Sequence, residues 1–448
     1  MTQTPEDISH ALLDAARKAG ADTADALVVH GSSVSVEVRT GNLEHAERSE
    51  GTDLGLRVLL GRRQAIVSAS DSRPETLAAM AERAVAMARE APEDPYAGLA
   101  DAEQLSQNID ATSLDLFDAT PEPQAETLMQ DALTAEAAAL AVDGVTQVSD
   151  AAAGYGEHRV YMAATNGFSG GYARTSRSIS CVAISGSGTE MERDYDGDSR
   201  AHQKDLRPAA EIGRIAAERA VQSAGARKPH TGNYPVVYDE RISSSLIGHL
   251  LAACNGAAVA RGSSWLKDSL GEQVLPVDLS VTEDPHRPRA FGSRPFDGEG
   301  LPTRVRNIVD QGVLTGWTLD LSSARKLGME PSANAARGVS SPPSPSNWNI
   351  ALTQGTVSRE DLLRDMGSGL LVTSLIGSTI NPNTGDYSRG ASGFWVENGE
   401  IAYPVNECTI AGNLNDMLRR IVPANDARTY LSRVVPSLLV EGMTIAGT

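Results

Sequence analysis

Eight histidines are the first groups to weigh for chemistry: His10, His30, His45, His158, His202, His230, His249 and His286. Two imidazoles four or five residues apart on a helix bind a divalent metal readily, because both then project from one face. No two of these eight have that spacing. His249 stands alone among Ile242, Leu246, Leu250 and Ala253 on a run with helical periodicity. A catalytic zinc takes three protein ligands, so His249 is expected to be a core or interface histidine rather than a ligand. The acidic run from Glu190 to Ser199 offers calcium chemistry, since Asp194, Asp196, Asp198 and Asp205 fall at the first, third, fifth and twelfth places of a calcium loop. Ser199, however, occupies the place that needs glycine, and Asp205 replaces the bidentate Glu. A strand with every second residue acidic and one solvated face is the preferred reading. Ser185-Gly-Ser-Gly188 has neither the strand–turn–helix setting of a nucleophile elbow nor the context of a phosphate loop.

The most unusual segment runs from Leu375 to Glu400. Its glycines interrupt an otherwise strand-like sequence, and without side chains they let backbone lie close to a ligand or another chain. Gly385, Asp386, Tyr387, Ser388, Arg389, Gly390 and Gly393, with His249, are therefore the candidate cleft or partner-contact residues. The competing reading is turn punctuation in a many-stranded sheet. The segment ends in a hairpin, with Phe394-Trp395-Val396 leading into an Asn398-Gly399 turn.

The elements that must position these groups follow from periodicity. Thr4-Pro5-Glu6-Asp7 caps a helix whose apolar residues recur from Ile8 to Ala19 before Gly20. Alternation predicts strands at Ala26–Val29, Val34–Val38, Leu54–Leu60, Ala65–Ala69, around Arg159–Ala164 and at Ser178–Ser185. Helices are expected from Pro74 to Arg89, Gln124 to Val142 and Pro208 to Ser223, and one apolar helix from Arg241 to Ala260. The loop from Ala224 to Asn233 is the expected boundary. The predicted fold class is α+β. Residues 1–225 form an N-terminal mixed α/β domain, and residues 226–448 a β-rich domain with a curled sheet or barrel-like body.

At 448 residues two domains are expected. A net charge of -19 argues against nucleic acid, whose phosphates require a basic face. The three cysteines, Cys181, Cys254 and Cys408, are too scattered for a disulfide framework or a zinc knuckle. No basic-then-apolar leader is read at Met1–Asp7 and no stretch suits a bilayer, so the expectation is cytoplasm without membrane contact.

Against this background, several motifs resemble the TldD/PmbA (modulator of gyrase) family. They are Gly385-Asp-Tyr-Ser-Arg-Gly390, Gly393-Phe-Trp-Val-Glu-Asn-Gly-Glu400, Tyr403-Pro-Val405, Thr409-Ile-Ala-Gly-Asn-Leu414 and Gly442-Met-Thr-Ile-Ala-Gly447. Asp297-Gly-Glu-Gly300, Ser323-Ala-Arg-Lys-Leu-Gly328, Ser68-Ala-Ser-Asp71 and Thr165-Asn-Gly167 extend the likeness over nearly the whole chain. The resemblance implies a heterodimeric metallopeptidase in which the TldD branch carries H-E-x-x-x-H on a helix. That frame falls here on Ile247-Gly248-His249-Leu250-Leu251-Ala252, without ligands or the acid, and no cysteine follows Asp426. The chain thus resembles the PmbA/TldE branch. The implied role is a metal-less subunit with no catalytic residue of its own. It would complete the cleft in which a TldD-like partner holds zinc and cuts peptides, in precursor maturation and the degradation of unfolded peptides. The alternatives are a stand-alone, non-enzymatic modulator of the gyrase type and a metal-independent enzyme.

Overall fold

The computed structural model describes residues 4–448; Met1–Gln3, part of the segment read for a leader, lie outside them. Helix α1 (Pro5–Ala19) starts as its sequence dictates. Thr4 Oγ1 accepts from the Asp7 backbone N–H at 3.1 Å while the Asp7 carboxylate takes the Thr4 N–H at 3.0 Å. Gly20, at φ 95°, closes it.

A six-stranded antiparallel sheet follows, built from β1 (Thr23–Arg39), β2 (Asn42–Leu60), β3 (Arg63–Ala69), β4 (Val145–Ala164), β5 (Ser169–Ser185) and β6 (Glu192–Arg200), in the order β3-β2-β1-β4-β5-β6. The two strands expected from Ala26 to Val38 are one. The polar run His30-Gly-Ser-Ser33 breaks the apolar pattern but stays paired on both sides, as His30 opposite Thr52 and Arg159 illustrates. Helices α1 and α2 (Pro74–Glu90) cover one half of a sheet face with a core of Leu12, Val28, Leu56, Leu77 and Met80. Helices α3 (Ala125–Leu140) and α4 (Ala209–Gln222) cover the other half through Val36, Leu128, Ile179 and Ile212. Gly213 lets these two helices meet, since a Cβ there would stand 1.9 Å from the Ala135 carbonyl oxygen. The opposite sheet face packs Leu27, Met162 and Phe168 against Phe296, Leu301 and Leu321.

The acidic strand corrects the sequence reading. On β6, Asp196 and Asp198 are buried rather than solvated. Arg207 and Arg219 reach Asp196 at 2.8 and 3.0 Å, Arg200 reaches Asp198 at 2.9 Å, and Arg241 reaches Asp194 at 3.0 Å. Buried carboxylates persist because they are paired. Arg200 lies on β6 itself, but Arg207, Arg219 and Arg241 come from beyond it, where the period-two pattern says nothing.

The later half meets the barrel-like expectation with a closed five-stranded barrel. Its strands are β7 (Gly232–Tyr238), β8 (Gly369–Ile380), β9 (Asp386–Glu397), β10 (Glu400–Asn413) and β11 (Leu438–Ala446), in the order β10-β9-β8-β7-β11, and pairing of β10 with β11 closes the ring. Closure leaves most of these strands without a free edge. The helix expected from Arg241 to Ala260 is two: α5 (Glu240–Ala253) and α6 (Gly256–Ala260). Asn255 breaks it by capping α6, with its side chain accepting from Ala257 and Ala258 N–H. Gly390 and Gly393 do not interrupt a strand, for β9 runs through both.

Candidate functional site

Helix α5 leaves β7 directly, with the Asp239 side chain accepting from the Arg241 N–H at 3.1 Å. Its apolar side fills the barrel region: Leu246, Ile247 and Leu250 are at most 1% exposed. His249 sits beside them, half-buried. Its ring meets Tyr387 edge-on at 5.8 Å between centroids, and its Nε2 is enclosed with no hydrogen-bond partner among the described residues. Burial, and then the positive charge of Arg389, depress its pKa, so the ring is neutral near pH 7. Tyr387 is itself buried and accepts a 3.3 Å hydrogen bond from the Tyr238 hydroxyl.

The remaining candidates of this segment separate into two places. Gly385, at φ 78°, and Asp386 form the turn into β9, where Asp386 accepts from Thr384 Oγ1 at 2.6 Å and Asn413 Nδ2 at 3.0 Å. Those bonds hold the exposed Asp386 carboxylate below its ordinary pKa. Arg389 and Gly393 instead line a cavity of about 460 Å³ with Ser245, Thr373 and Leu375, faced by Tyr195 from β6. Arg389 is fixed by a 2.7 Å bond from Nε to the Gly377 carbonyl. Ser388 is half-buried and pairs with Thr379 and Ala411, and Gly390 pairs with Ile376 and Thr409. Gly393 is there for a close approach of strands, since its Cβ would lie 2.0 Å from the Leu371 carbonyl oxygen.

Two features of the cavity escape the sequence patterns. The first is an open strand edge. Strand β8 pairs with β7 only at Leu370–Val372, so beyond them Ser374 to Thr379 pair on the β9 side alone, and Ile376 is 72% exposed. The second is the contribution of β6, whose own edge is blocked. The Tyr195 and Gly197 carbonyls accept from Arg219 at 3.1 Å and Arg207 at 2.9 Å. Only strand register reveals either one.

The donor set of α5 does not fit a metal. The frame positions Ile247, Gly248 and Ala252 supply no ligand atom, and a Cβ on Gly248 would already stand 3.1 Å from Arg433 Nη1. Among the described residues no three His, Cys, Asp or Glu side chains are grouped to hold an ion.

Comparison with known proteins agrees along the length of the chain. PmbA/TldA metallopeptidase domain 1 matches residues 24–88, the central domain 118–224 and the C-terminal domain 231–447. Metalloprotease PmbA of Escherichia coli O157:H7 is 39% identical over 444 residues, covering 99% of this chain and 96% of that protein. The crystal structure of a candidate modulator of DNA gyrase from Bacteroides thetaiotaomicron superposes with a TM-score of 0.92 at 28% identity, covering 99% of this chain and 100% of that one. TldE from Thermococcus kodakarensis shares the fold, with a TM-score of 0.85 at 19% identity over 98% of this chain and 99% of that one. With likeness of this extent in sequence and fold, the chain belongs to the PmbA/TldD metallopeptidase family.

Proposed function

We infer that this chain is the PmbA/TldE-type subunit of a two-chain metallopeptidase, completing a peptide cleft whose zinc is held by a TldD-like partner. The observation that carries this reading is α5. It occupies the place where the resemblance puts the metal-bearing helix, yet it presents Ile247, Gly248 and Ala252, with Ile247 1% exposed in the core. A helix without two ligands and an acid neither holds a metal nor activates its water. The open edge of β8 beside the 460 Å³ cavity suits an extended peptide, which docks by main-chain hydrogen bonds. In this reading His249, Tyr387, Arg389, Gly390 and Gly393 face the cleft or the partner, and Gly385, Asp386 and Ser388 rim it. Residues 1–225 form one domain, and residues 226–448 form the domain that carries cleft and interface. The compartment is the cytoplasm, consistent with three free, buried cysteines. No helix among the described residues is long and apolar enough to cross a membrane.

Elemental analysis of the untagged chain alone is expected to find no stoichiometric zinc. The pair with its partner is expected to hold one zinc and to cut unfolded peptides that neither chain cuts alone. One tightly held zinc per isolated chain would sink the assignment.

A second expectation concerns His249, whose pKa is already depressed. His249→Gln should leave the pH profile of cleavage by the pair unchanged between pH 7 and 9, because a ring whose pKa is pushed below its ordinary value is already neutral there. Loss of one limb of that profile, with folding intact, would instead make the histidine a titrating participant.

A further inference from the structure

A second cavity, of about 640 Å³, lies between the β5–β6 sheet face and two segments from the later half of the chain. Its size falls in the range of ligand pockets, roughly 300–1,000 Å³. The sheet side is floored by small residues, Ser178, Ser180, Gly197 and Ser199, which leave the space open. The other side is formed by Arg287–Phe291 and by Arg428–Ser432, where Phe291, Tyr430 and Leu431 supply apolar surface. Tyr195 and Arg241 line both this cavity and the one beside α5, so the two are neighbours.

The charges decide the ligand. Most guanidinium groups here already have carboxylates: Arg219 on Asp196, Arg200 on Asp198, Arg289 on Asp115 and Asp205, and Arg428 on Glu240. Arg287 is different. Its Nη1 donates to the Leu431 carbonyl at 3.0 Å and its Nη2 to that of Thr429. Among the described residues no carboxylate pairs directly with it, and Asp284 acts on it only through space, without a hydrogen bond. Two carbonyls fix the plane of a guanidinium that has five N–H donors, and its remaining donors match a carboxylate. In a chain of net charge -19 a guanidinium with donors to spare and no direct carboxylate partner favours a single carboxylate as its ligand.

We propose that this cavity binds a carboxylate of the peptide substrate through Arg287, with the neighbouring peptide residues lying over the serine and glycine floor of β5 and β6. The proposal rests on the peptide-cleft reading above. The carboxylate comes either from the peptide's own end or from an acidic side chain.

The test is direct binding to the full chain without its partner, followed by fluorescence anisotropy. Three labelled peptides share one neutral sequence: one ends in a free carboxylate, one in an amide, and one in an amide with an internal glutamate. At least one carboxylate peptide is expected to bind tenfold or more tightly than the neutral amide. Arg287→Met should shrink that preference below twofold. A preference for the free end assigns the pocket to the chain terminus, and one for glutamate to a side chain; either supports the site. Because Arg287 also tethers the 428–432 segment, Ser199→Trp provides a second variant that fills the cavity from the sheet side and leaves Arg287 in place. It too should abolish the preference. Equal affinity for all three peptides, or a preference that survives both substitutions, overturns the proposal. If the pair cuts the neutral amide while the chain shows no preference, the carboxylate site fails and the peptidase reading stands. If the chain keeps its preference while the pair cuts nothing, the reverse holds.

Discussion

Asp25→Ala is expected to destabilise the folded chain by about 3–5 kcal/mol, read as a lower urea midpoint at unchanged slope. Asp25 is buried on β1, where Arg57 Nε reaches it at 2.7 Å and Arg337, itself 1% exposed at the side chain, also bonds to it. Burial alone would raise the Asp25 pKa, but Arg337 and Arg57 outweigh it and hold the carboxylate below its ordinary range. Removing it leaves two guanidinium groups buried without their counter-charge, and Arg337 Nε and Nη2 already lack partners among the described residues. Glu299, also close to Arg57, cannot stand in. Burial and the nearby Asp297 push its pKa up, which favours its neutral form over a counter-charge for the two guanidinium groups. Asp25→Asn keeps shape and some hydrogen bonding, and its loss should be the smaller of the two. A change below about 1 kcal/mol in Asp25→Ala would show that water reaches this cluster.

Gly393→Val should be nearly as damaging, at about 3 kcal/mol or more, because the added atoms meet backbone rather than a movable side chain. The Leu371 carbonyl oxygen stands 2.0 Å from the Cβ position, so β8 and β9 must part, and the barrel is strained at its middle. Gly390 offers the contrast on the same strand. Its Cβ would lie 3.3 Å from the Ile376 carbonyl, and its φ is not in the left-handed region. Gly390→Val is expected to melt within about 1 kcal/mol of wild type while lowering cleavage or assembly of the pair. Thermal melts of both variants, alongside cleavage by the pair, separate a packing glycine from a cleft glycine. If Gly390→Val melts early yet assembles and cuts normally when cool, the cleft role of this segment is wrong.

How far the sequence alone reaches depends on the range of the interaction. The Thr4–Asp7 cap, the Gly20 stop and the Asn398-Gly399 hairpin are local, and the structure forms them as their residues require. The absence of metal ligands on α5 is equally plain, because it needs only three positions in one frame. Burial of Asp196 and Asp198 is different. It depends on Arg219 of α4 and on Arg207, just before that helix, and strand periodicity alone suggests solvent instead. The cavity beside α5 combines local and distant residues. Arg389 and Gly393 belong to the glycine-interrupted segment that the sequence marks out, but Tyr195, Arg241 and the free edge of β8 emerge only once strands are assigned neighbours.

Closure of the barrel also sets an order of events during refolding. Strands β1–β3 are joined by short turns and pair with their sequence neighbours, whereas β11 must find β7, with Leu438 opposite Tyr238 across most of the second half of the chain. Loop-closure entropy opposes that meeting until many contacts reward it together, so the N-terminal hairpins precede the ring. Until β11 docks, β7 exposes the unpaired amides and carbonyls of Gly232–Tyr238, and β10 those of Thr409–Ala411. That intermediate is the aggregation-prone one, and refolding yield should fall with protein concentration in the interval before ring closure.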